Sequence, residues 1–238
     1  MPLQTVEPKR LYRQIADQLR SLIAAGEFEV GARLPAERDL ARQLGVSRPS
    51  VREALIALEV EGRVEVRTGS GVYVLDRSQR GAAPAEALGW GPLELIRARR
   101  VVEGETAALA ARSARRADRD AIARALDDMR EQAARGIAPL DADRAFHAAI
   151  VQASGNAVLC ETVQVFLDSR HGPLFKRLGG HFENDRSWQA AIAEHAKVLA
   201  AIEARDADAA RAAMHEHMDR AHQRFSVSWR RAHPPERN

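Results

Sequence analysis

The sequence predicts a mainly α-helical protein, in which an N-terminal winged helix-turn-helix is followed by a C-terminal all-α antiparallel helical bundle. Three observations lead to this fold class. Apolar residues recur with helical spacing on both sides of a tight turn at Gly45. After Gly62 they alternate with polar residues instead, which indicates a short β-hairpin. From Pro92 onward the chain is rich in alanine and lacks strand-like alternation, so we expect helices joined by short connections.

The composition excludes several classes of protein. The chain has 238 residues and a net charge of only +3. Arginines and acids are nearly balanced between Arg33 and Arg67, so charge placement rather than total charge must decide any binding of nucleic acid. The single cysteine, Cys160, excludes an intramolecular disulfide and is typical of a reducing cytoplasm. The sequence shows neither a signal peptide's apolar core nor an apolar run approaching about 18 residues. We therefore expect a soluble cytoplasmic protein that does not contact membranes.

The N-terminal helices are predicted from their apolar stripes. The stripe of the first helix consists of Leu11, Ile15, Leu19, Leu22 and Ile23. This helix is expected to end at Gly26 and to pack behind the helix-turn-helix pair. In the next helix Ala36, Leu40 and Leu44 share one face, and Gly45 closes it.

The second helix of the pair has the features of a recognition helix. Ser47 is a suitable N-cap, and Val51, Ala54, Leu55 and Leu58 form a stripe that we expect to be buried. Arg48 and Arg52 lie four residues apart on a different face, near the helix start, where side chains reach base edges. A hairpin directly after such a helix is a wing. The alternative is a small helical domain whose arginines form a solvated surface, and the hairpin argues against it.

The segment PAERDLARQLGVSRPSVREAL, followed by EGRVEVRTGSGVYV, resembles the winged helix-turn-helix of the GntR family of bacterial transcription regulators. The resemblance covers about residues 11–75. It implies DNA contacts at six residues, namely Arg38, Ser47, Arg48, Arg52, Thr68 and Gly69. These roles are chemically suitable, because arginine can donate two hydrogen bonds to guanine, while Ser47 and a helix N-terminus suit phosphate.

The chain is predicted to have two domains and a linker. We assign residues 1–75 to the winged helix-turn-helix, 76–91 to a linker rich in Gly, Ala and Pro, 92–230 to the helical domain and 231–238 to a polar tail. Six helices are predicted in the helical domain: 92–116, 118–135, 140–153, 157–178, 185–205 and 206–230. Asn156, Asp185 and Asp206 are suitable helix starts.

Carboxylate and imidazole side chains recur within the helical half. Asp143 and His147 lie at positions i and i+4, so both fall on one helix face. His195 and His217 lie on two further helices, and three helices that converge in a bundle core could present these groups to a divalent metal. The alternative is that the histidines are hydrogen-bonded core residues. His215, two residues from His217, should face away from it.

Residues 92–225 resemble the ligand-binding domain, called FCD, of the FadR-type branch of the GntR family. The resemblance rests on ELIRARRVVEGETAALAA, the Asp143–His147 pair, SGN before a helix, and the segment that begins EHAKVLAAI. It implies a metal bound by Asp143, His147, His195 and His217. These ligand types accept Zn, Ni, Mn or Fe.

An open coordination position could receive the carboxylate of an effector, or an activated water in an enzyme. The sequence shows no general base or nucleophile beside the four residues, so we favour a sensor. The alternatives are a metal-dependent enzyme fused to a DNA-binding module, and an architectural DNA-binding dimer without an effector. Arg99 could bind the effector carboxylate, although Arg99 and Glu103 could also form a surface ion pair. Phe146 and Trp188 could line a pocket or belong to the core.

The wing segment is most similar to that of regulators of hexuronate and related sugar-acid catabolism. We therefore expect a small carboxylate or sugar acid as effector. The resemblance further implies a homodimeric regulator, most often a repressor, that binds a pseudo-palindromic operator in double-stranded DNA.

Overall fold

A computed structural model describes residues 10–67, 70–76, 90–170, 172, 174–175 and 184–232, with side chains described up to residue 224. The chain divides into two compact units. Of the described residues, one unit contains 10–67, 70–76, 90–91, 172, 174–175 and 229–232, and the other contains 92–170 and 184–228. The predicted fold class is confirmed, since a winged-helix domain precedes a helical domain. Among the described helices, none combines the length and apolar character that a membrane span requires. The predicted linker falls mostly outside the described residues.

The N-terminal unit contains three helices and a hairpin among its described residues. They are α1 (Leu11–Ala24), α2 (Glu37–Leu44), α3 (Arg48–Val60), β1 (Val64–Arg67) and β2 (Gly71–Val74). The strands pair antiparallel, with Val64 opposite Val74 and Arg67 opposite Gly71. Helices α1 and α2 both pack on α3, which is buried along most of its length.

Local capping explains the corner between α2 and α3. Gly45 adopts a left-handed conformation with φ of 65°, which glycine adopts without steric cost, so the chain can leave α2 abruptly. The hydroxyl of Ser47 then accepts a hydrogen bond from the backbone N–H of Ser50 at 3.3 Å. This contact confirms Ser47 as the N-cap of α3.

The predicted stripe of α1 is partly wrong. Leu11 is 47% exposed, and the buried face consists of Tyr12, Ile15, Ala16 and Leu19. These four residues follow the i, i+3, i+4, i+7 spacing starting one residue later than predicted. The large side chain of Tyr12 therefore replaces Leu11 in the interface with α3.

The described helices of the C-terminal unit are α4 (Pro92–Ser113), α5 (Arg116–Ala134), α6 (Leu140–Ala153), α7 (Ala157–Ser169), α8 (Asp185–Glu203) and α9 (Ala207–Ala232). Helix α7 ends well before the predicted residue 178, because Gly172 and Pro173 follow it in the sequence and both disfavour helix. Asn156 caps α7 as predicted, by accepting from the backbone N–H of Leu159. Helix α8 is capped by Asn184, one residue before the predicted start.

One apolar core holds the helical unit together. It is formed by residues of α4, α5, α6, α8 and α9, including Leu126, Phe146, Val198 and Met214. Helix α4 packs against both α6 and α8. Polar side chains that project inward from α4, α6, α8 and α9 therefore meet within one buried region.

Candidate metal centre and DNA-reading surface

Three of the predicted DNA-contacting residues lie at the surface of the N-terminal unit. The side chain of Arg38, in the first turn of α2, is 75% exposed. Ser47 and Arg48 are exposed at the start of α3, and the side chain of Arg48 is 44% exposed. A hydroxyl, two guanidinium groups and a helix N-terminus can contact phosphate oxygens and base edges.

Arg52 differs from the prediction, because it is only 2% exposed and does not lie on an open face. Its guanidinium donates to both carboxylate oxygens of the buried Glu37, with distances of 2.8–3.1 Å. The Nε of Arg48 donates to Oε1 of the same carboxylate at 2.9 Å. Burial of a guanidinium requires such a partner, and Glu37 supplies it at the start of α2. Arg52 is thus held by Glu37 within the domain, and its contact with DNA stays a prediction.

The wing is described only at its base. Thr68 and Gly69, the predicted contacts at its tip, lie outside the described residues. At the end of β1, Arg67 lies over the ring of Tyr73, with its guanidinium carbon 4.4 Å from the ring centroid. Its Nε also donates to Glu65 at 3.0 Å.

In the helical unit the four predicted metal ligands converge. Asp143 and His147 come from α6, His195 from α8 and His217 from α9, and all four are buried. The Nε2 atoms of His147 and His195 are 3.2 Å apart, and Oδ1 of Asp143 lies 3.4 Å from Nε2 of His195. One ring nitrogen from each histidine lies within 4.8 Å of the others. His215 is absent from this group, as expected from its position.

Two buried glutamates lie against the Nδ1 atoms of two of these histidines. Oε2 of Glu103, on α4, lies 2.6 Å from Nδ1 of His147. Oε2 of Glu194, on α8, lies 2.9 Å from Nδ1 of His217. The Glu194 contact is a hydrogen bond in which Nδ1 of His217 donates, because an ionised carboxylate only accepts, whereas the approach of Glu103 to Nδ1 of His147 is an ion-pair distance without hydrogen-bond geometry. A proton on Nδ1 of His217 leaves the lone pair on its Nε2, while Nε2 of His147 faces Nε2 of His195.

Three arginines neutralise the carboxylates. Arg99 donates to Glu103 with Nε at 2.5 Å, Arg224 donates to both oxygens of Glu194 at 2.6 and 2.9 Å, and Arg170 donates to Oδ2 of Asp143. Arg99 and Glu103 form the ion pair considered from the sequence, but the pair is buried rather than at the surface. Arg99 is instead committed to a carboxylate that touches a candidate ligand.

The pKa shifts fit a set of metal ligands. Burial alone would raise the pKa of the Asp143 and Glu103 carboxyls, but the adjacent arginines and imidazoles outweigh burial and hold both pKa values well below their usual range. Burial lowers the pKa of His195, and the neighbouring His217 lowers it further. Burial also lowers the pKa of His217. An ionised carboxylate and neutral imidazoles are the forms that bind metals.

The donor chemistry therefore fits a divalent ion. Three imidazole nitrogens lie close together, and Oδ1 of Asp143 lies 3.4 Å from Nε2 of His195 and 3.8 Å from Nε2 of His147, although Asp143 is not part of the group in which every ligand atom is within 4.8 Å of the others. The carboxylate contacts at Nδ1 are of the kind that orient metal-ligating histidines. The predicted pocket residues Phe146 and Trp188 both belong to the apolar core, and the ring of Phe146 packs edge-on against His195 with 4.6 Å between centroids.

Sequence reasoning missed Glu194, Arg170 and Arg224. Glu194 had a detectable signal, because it lies three residues after Ala191 and four before Val198, on the stripe that α8 buries. A charged residue on an apolar stripe indicates a buried ion pair. Arg170 and Arg224 had no such signal, since neither lies on a predicted apolar stripe.

Comparisons with known proteins agree with this architecture. Residues 11–74 match the family described as bacterial regulatory proteins, gntR family, and residues 94–220 match the FCD domain. The Uxu operon transcriptional regulator of Escherichia coli K12 is 36% identical over 224 residues, which covers 91% of this chain and 87% of that protein. The Exu regulon transcriptional regulator of the same strain is 36% identical over 223 residues, covering 91% and 85%.

A solved structure, that of E. coli McbR/YncC, has a similar fold, with a TM-score of 0.52 and 24% identity, covering 93% of this chain and 99% of that chain. The two domain matches together span most of the sequence, and the relatives align with nearly all of it. The family and these relatives are transcription regulators rather than enzymes. The chain therefore belongs to the gntR family of bacterial regulatory proteins, carries an FCD domain, and is a DNA-binding transcription regulator.

Proposed function

We propose that the protein is a homodimeric cytoplasmic repressor whose helical domain binds a small carboxylate or sugar acid through a divalent metal. The observation that carries the proposal is the convergence of His147, His195 and His217 in a buried site, with the buried Asp143 beside two of them. A Zn, Ni, Mn or Fe ion held there would supply positive charge and open coordination positions for a carboxylate oxygen.

The charges around the four residues support an anionic effector. Three carboxylates (Asp143, Glu103 and Glu194) are in close contact with three guanidinium groups (Arg170, Arg99 and Arg224). Metal binding requires neutral imidazoles, so the charge of a divalent ion would be left without a counter-charge among these groups. Because buried charge is costly unless it is paired, an anion is the favoured additional ligand.

The relatives support the chemical class of effector. Two of them are regulators of the Uxu operon and the Exu regulon, and the wing resembles that of hexuronate regulators. Arg99, predicted as a direct effector contact, is bound to Glu103, so we assign the recognition of the effector carboxylate to the metal.

For DNA binding, we propose direct contacts by Arg38, Ser47, Arg48 and the wing tip at Thr68 and Gly69, with Arg52 acting through Glu37. Two such domains in a dimer would occupy the half-sites of a pseudo-palindromic operator. Exposed valines on α4 and α7, two helices that pack together, support association of two copies: they are Val101, Val158 and Val165. If the effector binds more tightly to one dimer geometry than to another, it shifts the population toward that geometry. Operator affinity then changes by no more than the difference between the effector's affinities for the two geometries.

The test combines metal analysis, effector binding and DNA release. Purified full-length protein is analysed for bound metal before and after reconstitution with Zn²⁺, Ni²⁺, Mn²⁺ or Fe²⁺, and is then titrated calorimetrically with hexuronates and short hydroxy acids. We expect about one metal per chain, binding of an acid only to the metal-loaded form, and release of an operator selected from random DNA. A chain that takes up no metal would overturn the metal site. Turnover of the acid would favour an enzyme, and operator binding that no acid alters would favour an architectural dimer.

A further inference from the structure

The same arrangement of side chains occurs twice behind the candidate metal ligands. On one side, Oε1 of Glu103 accepts from Nε of Arg99, while its Oε2 faces Nδ1 of His147 and also lies 3.3 Å from a terminal nitrogen of Arg99. On the other, Oε1 of Glu194 accepts from one terminal nitrogen of Arg224, while Oε2 accepts from the other and from Nδ1 of His217. In each case one carboxylate oxygen contacts the arginine, and the other oxygen contacts both the arginine and the histidine.

The two arrangements are built on different helices. Arg99 and Glu103 lie one turn apart on α4 and reach His147 on α6, whereas Glu194 lies on α8 and joins Arg224 and His217 of α9. A shared local sequence motif therefore cannot account for both. What they have in common is the requirement placed on the histidine, namely a protonated Nδ1 and an Nε2 lone pair directed at one point.

We propose that Glu103 and Glu194, each held by an arginine, are positioning residues that fix the tautomer and ring orientation of His147 and His217 for metal binding. This inference rests on the metal site of the proposed function. The two arginines hold the glutamates in place. Because Arg99 and Arg224 occupy the carboxylate oxygens, neither glutamate is free to turn inward and become a ligand itself.

His195 differs from the other two histidines, because no described carboxylate is recorded against its Nδ1. That atom is buried and makes no hydrogen bond to any described residue; Nδ1 of His147 likewise lacks hydrogen-bond geometry, but it lies 2.6 Å from Glu103. Its ring is held instead by packing against Phe146. Orientation of the three imidazoles therefore has two sources, carboxylates for His147 and His217 and apolar packing for His195.

The Glu194 side is the better one to test, because Arg224 is 24% exposed and can turn to water when its partner changes, whereas Arg99 is buried. Metal-free full-length wild-type, Glu194→Gln and Glu61→Gln proteins are titrated with Zn²⁺ against a chromogenic chelator. Glu61 is a matched control, since it is also buried and paired with an arginine, Arg20, at 2.7 and 2.9 Å, but lies in the N-terminal unit. We expect about a 10–100-fold loss of Zn²⁺ affinity in Glu194→Gln and no change in Glu61→Gln.

A second set of three variants separates a role at the histidine from a general loss of charge. Arg224→Met should weaken Zn²⁺ binding, and Arg224→Lys should restore part of the affinity. Arg220→Met should leave it unchanged, because Arg220 is half exposed and lies 4.0 Å from Glu194. Arg220 is on the same helix and carries the same charge, so it controls for both.

A third readout reports on the imidazole itself. Long-range ¹H–¹⁵N spectra of the metal-free proteins should show the Nδ1–H tautomer at His217 in the wild type and a loss of that preference in Glu194→Gln, with His147 unaffected. Equal Zn²⁺ affinity in wild type and Glu194→Gln, or an Nε2–H tautomer at His217 in the wild type, would overturn the positioning role. Failure of the wild type to bind Zn²⁺, Ni²⁺, Mn²⁺ or Fe²⁺ would instead overturn the metal site on which the role depends.

Discussion

In the N-terminal domain the buried Glu37 accepts hydrogen bonds from two arginines, whereas in the helical domain Glu103 and Glu194 each contact one arginine and one histidine. Sharing a carboxylate between Arg48 and Arg52 leaves one positive charge in excess, and the more exposed of the two guanidinium groups lies at the start of α3. Such a charge is suited to a nucleic acid.

Pairing a carboxylate with arginine and a neutral histidine leaves no net charge, but it leaves a lone pair directed inward. Such a lone pair is suited to a metal. A buried glutamate held by an arginine therefore serves either purpose, and its second partner, an arginine or a histidine, decides which. Changes to that second partner, or to the glutamate, test this contrast.

The largest effect is expected from Glu37→Gln. This change leaves Arg52 buried without the carboxylate that neutralises it, and such losses cost about 3–5 kcal/mol of stability. Urea unfolding would measure the loss, and hydrogen exchange would locate it in α2 and α3. The control is Glu65→Gln, since Glu65 forms an exposed pair with Arg67 and should cost less than about 1 kcal/mol. Equal stability of the two variants would contradict the structural role of Glu37.

Next in size is the loss of a ligand from the helical domain. His217→Ala removes a donor nitrogen. It should therefore reduce metal affinity by more than roughly 100-fold, which is the largest loss expected when a residue that only orients a ligand is changed. His215→Ala, two residues away on α9, should retain wild-type affinity, since His215 lies outside the ligand cluster. Absorption spectra of the Co²⁺-loaded proteins would measure the difference. A similar loss in both variants would indicate damage to the helix rather than to a metal site.

A smaller effect is expected at the reading surface. Arg48→Ala should weaken binding to the selected operator by about 1–3 kcal/mol, while dimer formation and effector binding remain intact. Arg48→Lys keeps the positive charge but loses the planar pair of N–H donors of the guanidinium. This variant should bind random DNA as the wild type does and lose its preference for the selected operator. Fluorescence anisotropy at two salt concentrations would separate the two contributions. Sequence-specific binding that survives in Arg48→Ala would count against this residue as a base contact.

The smallest effect is expected at the cap of α3. Ser47→Ala removes the hydrogen bond to Ser50 and should cost about 1 kcal/mol of stability, together with some DNA affinity. Ser47→Asp keeps a capping oxygen but adds negative charge beside the phosphates, so it should restore stability and weaken DNA binding further. If Ser47→Asp bound DNA as the wild type does, Ser47 would be a cap without a phosphate contact.

The sequence alone determined the order of domains, the type of each element and the four candidate ligands. These features depend on local rules: helical spacing predicted α2 and α3, alternation predicted the hairpin, and the glycine and serine at the corner predicted the caps. The pairing of Asp143 with His147 is also local, because a helix brings residues four apart onto one face.

Only the tertiary structure decided which charged residues are buried and what they contact. Arg52 lies four residues after the exposed Arg48, so the spacing alone predicts that both lie on the same face. Arg52 is nevertheless buried, and its charge is paired with Glu37 of another helix. Arg99 has a suitable surface partner in Glu103, yet both are buried because His147 of α6 lies beside them. Periodicity predicts the face of a helix on which a residue lies. The partner of that residue on another helix depends on contacts between residues far apart in the chain. Those contacts place some arginines and glutamates at the surface expected to bind DNA, and others beside the candidate metal ligands.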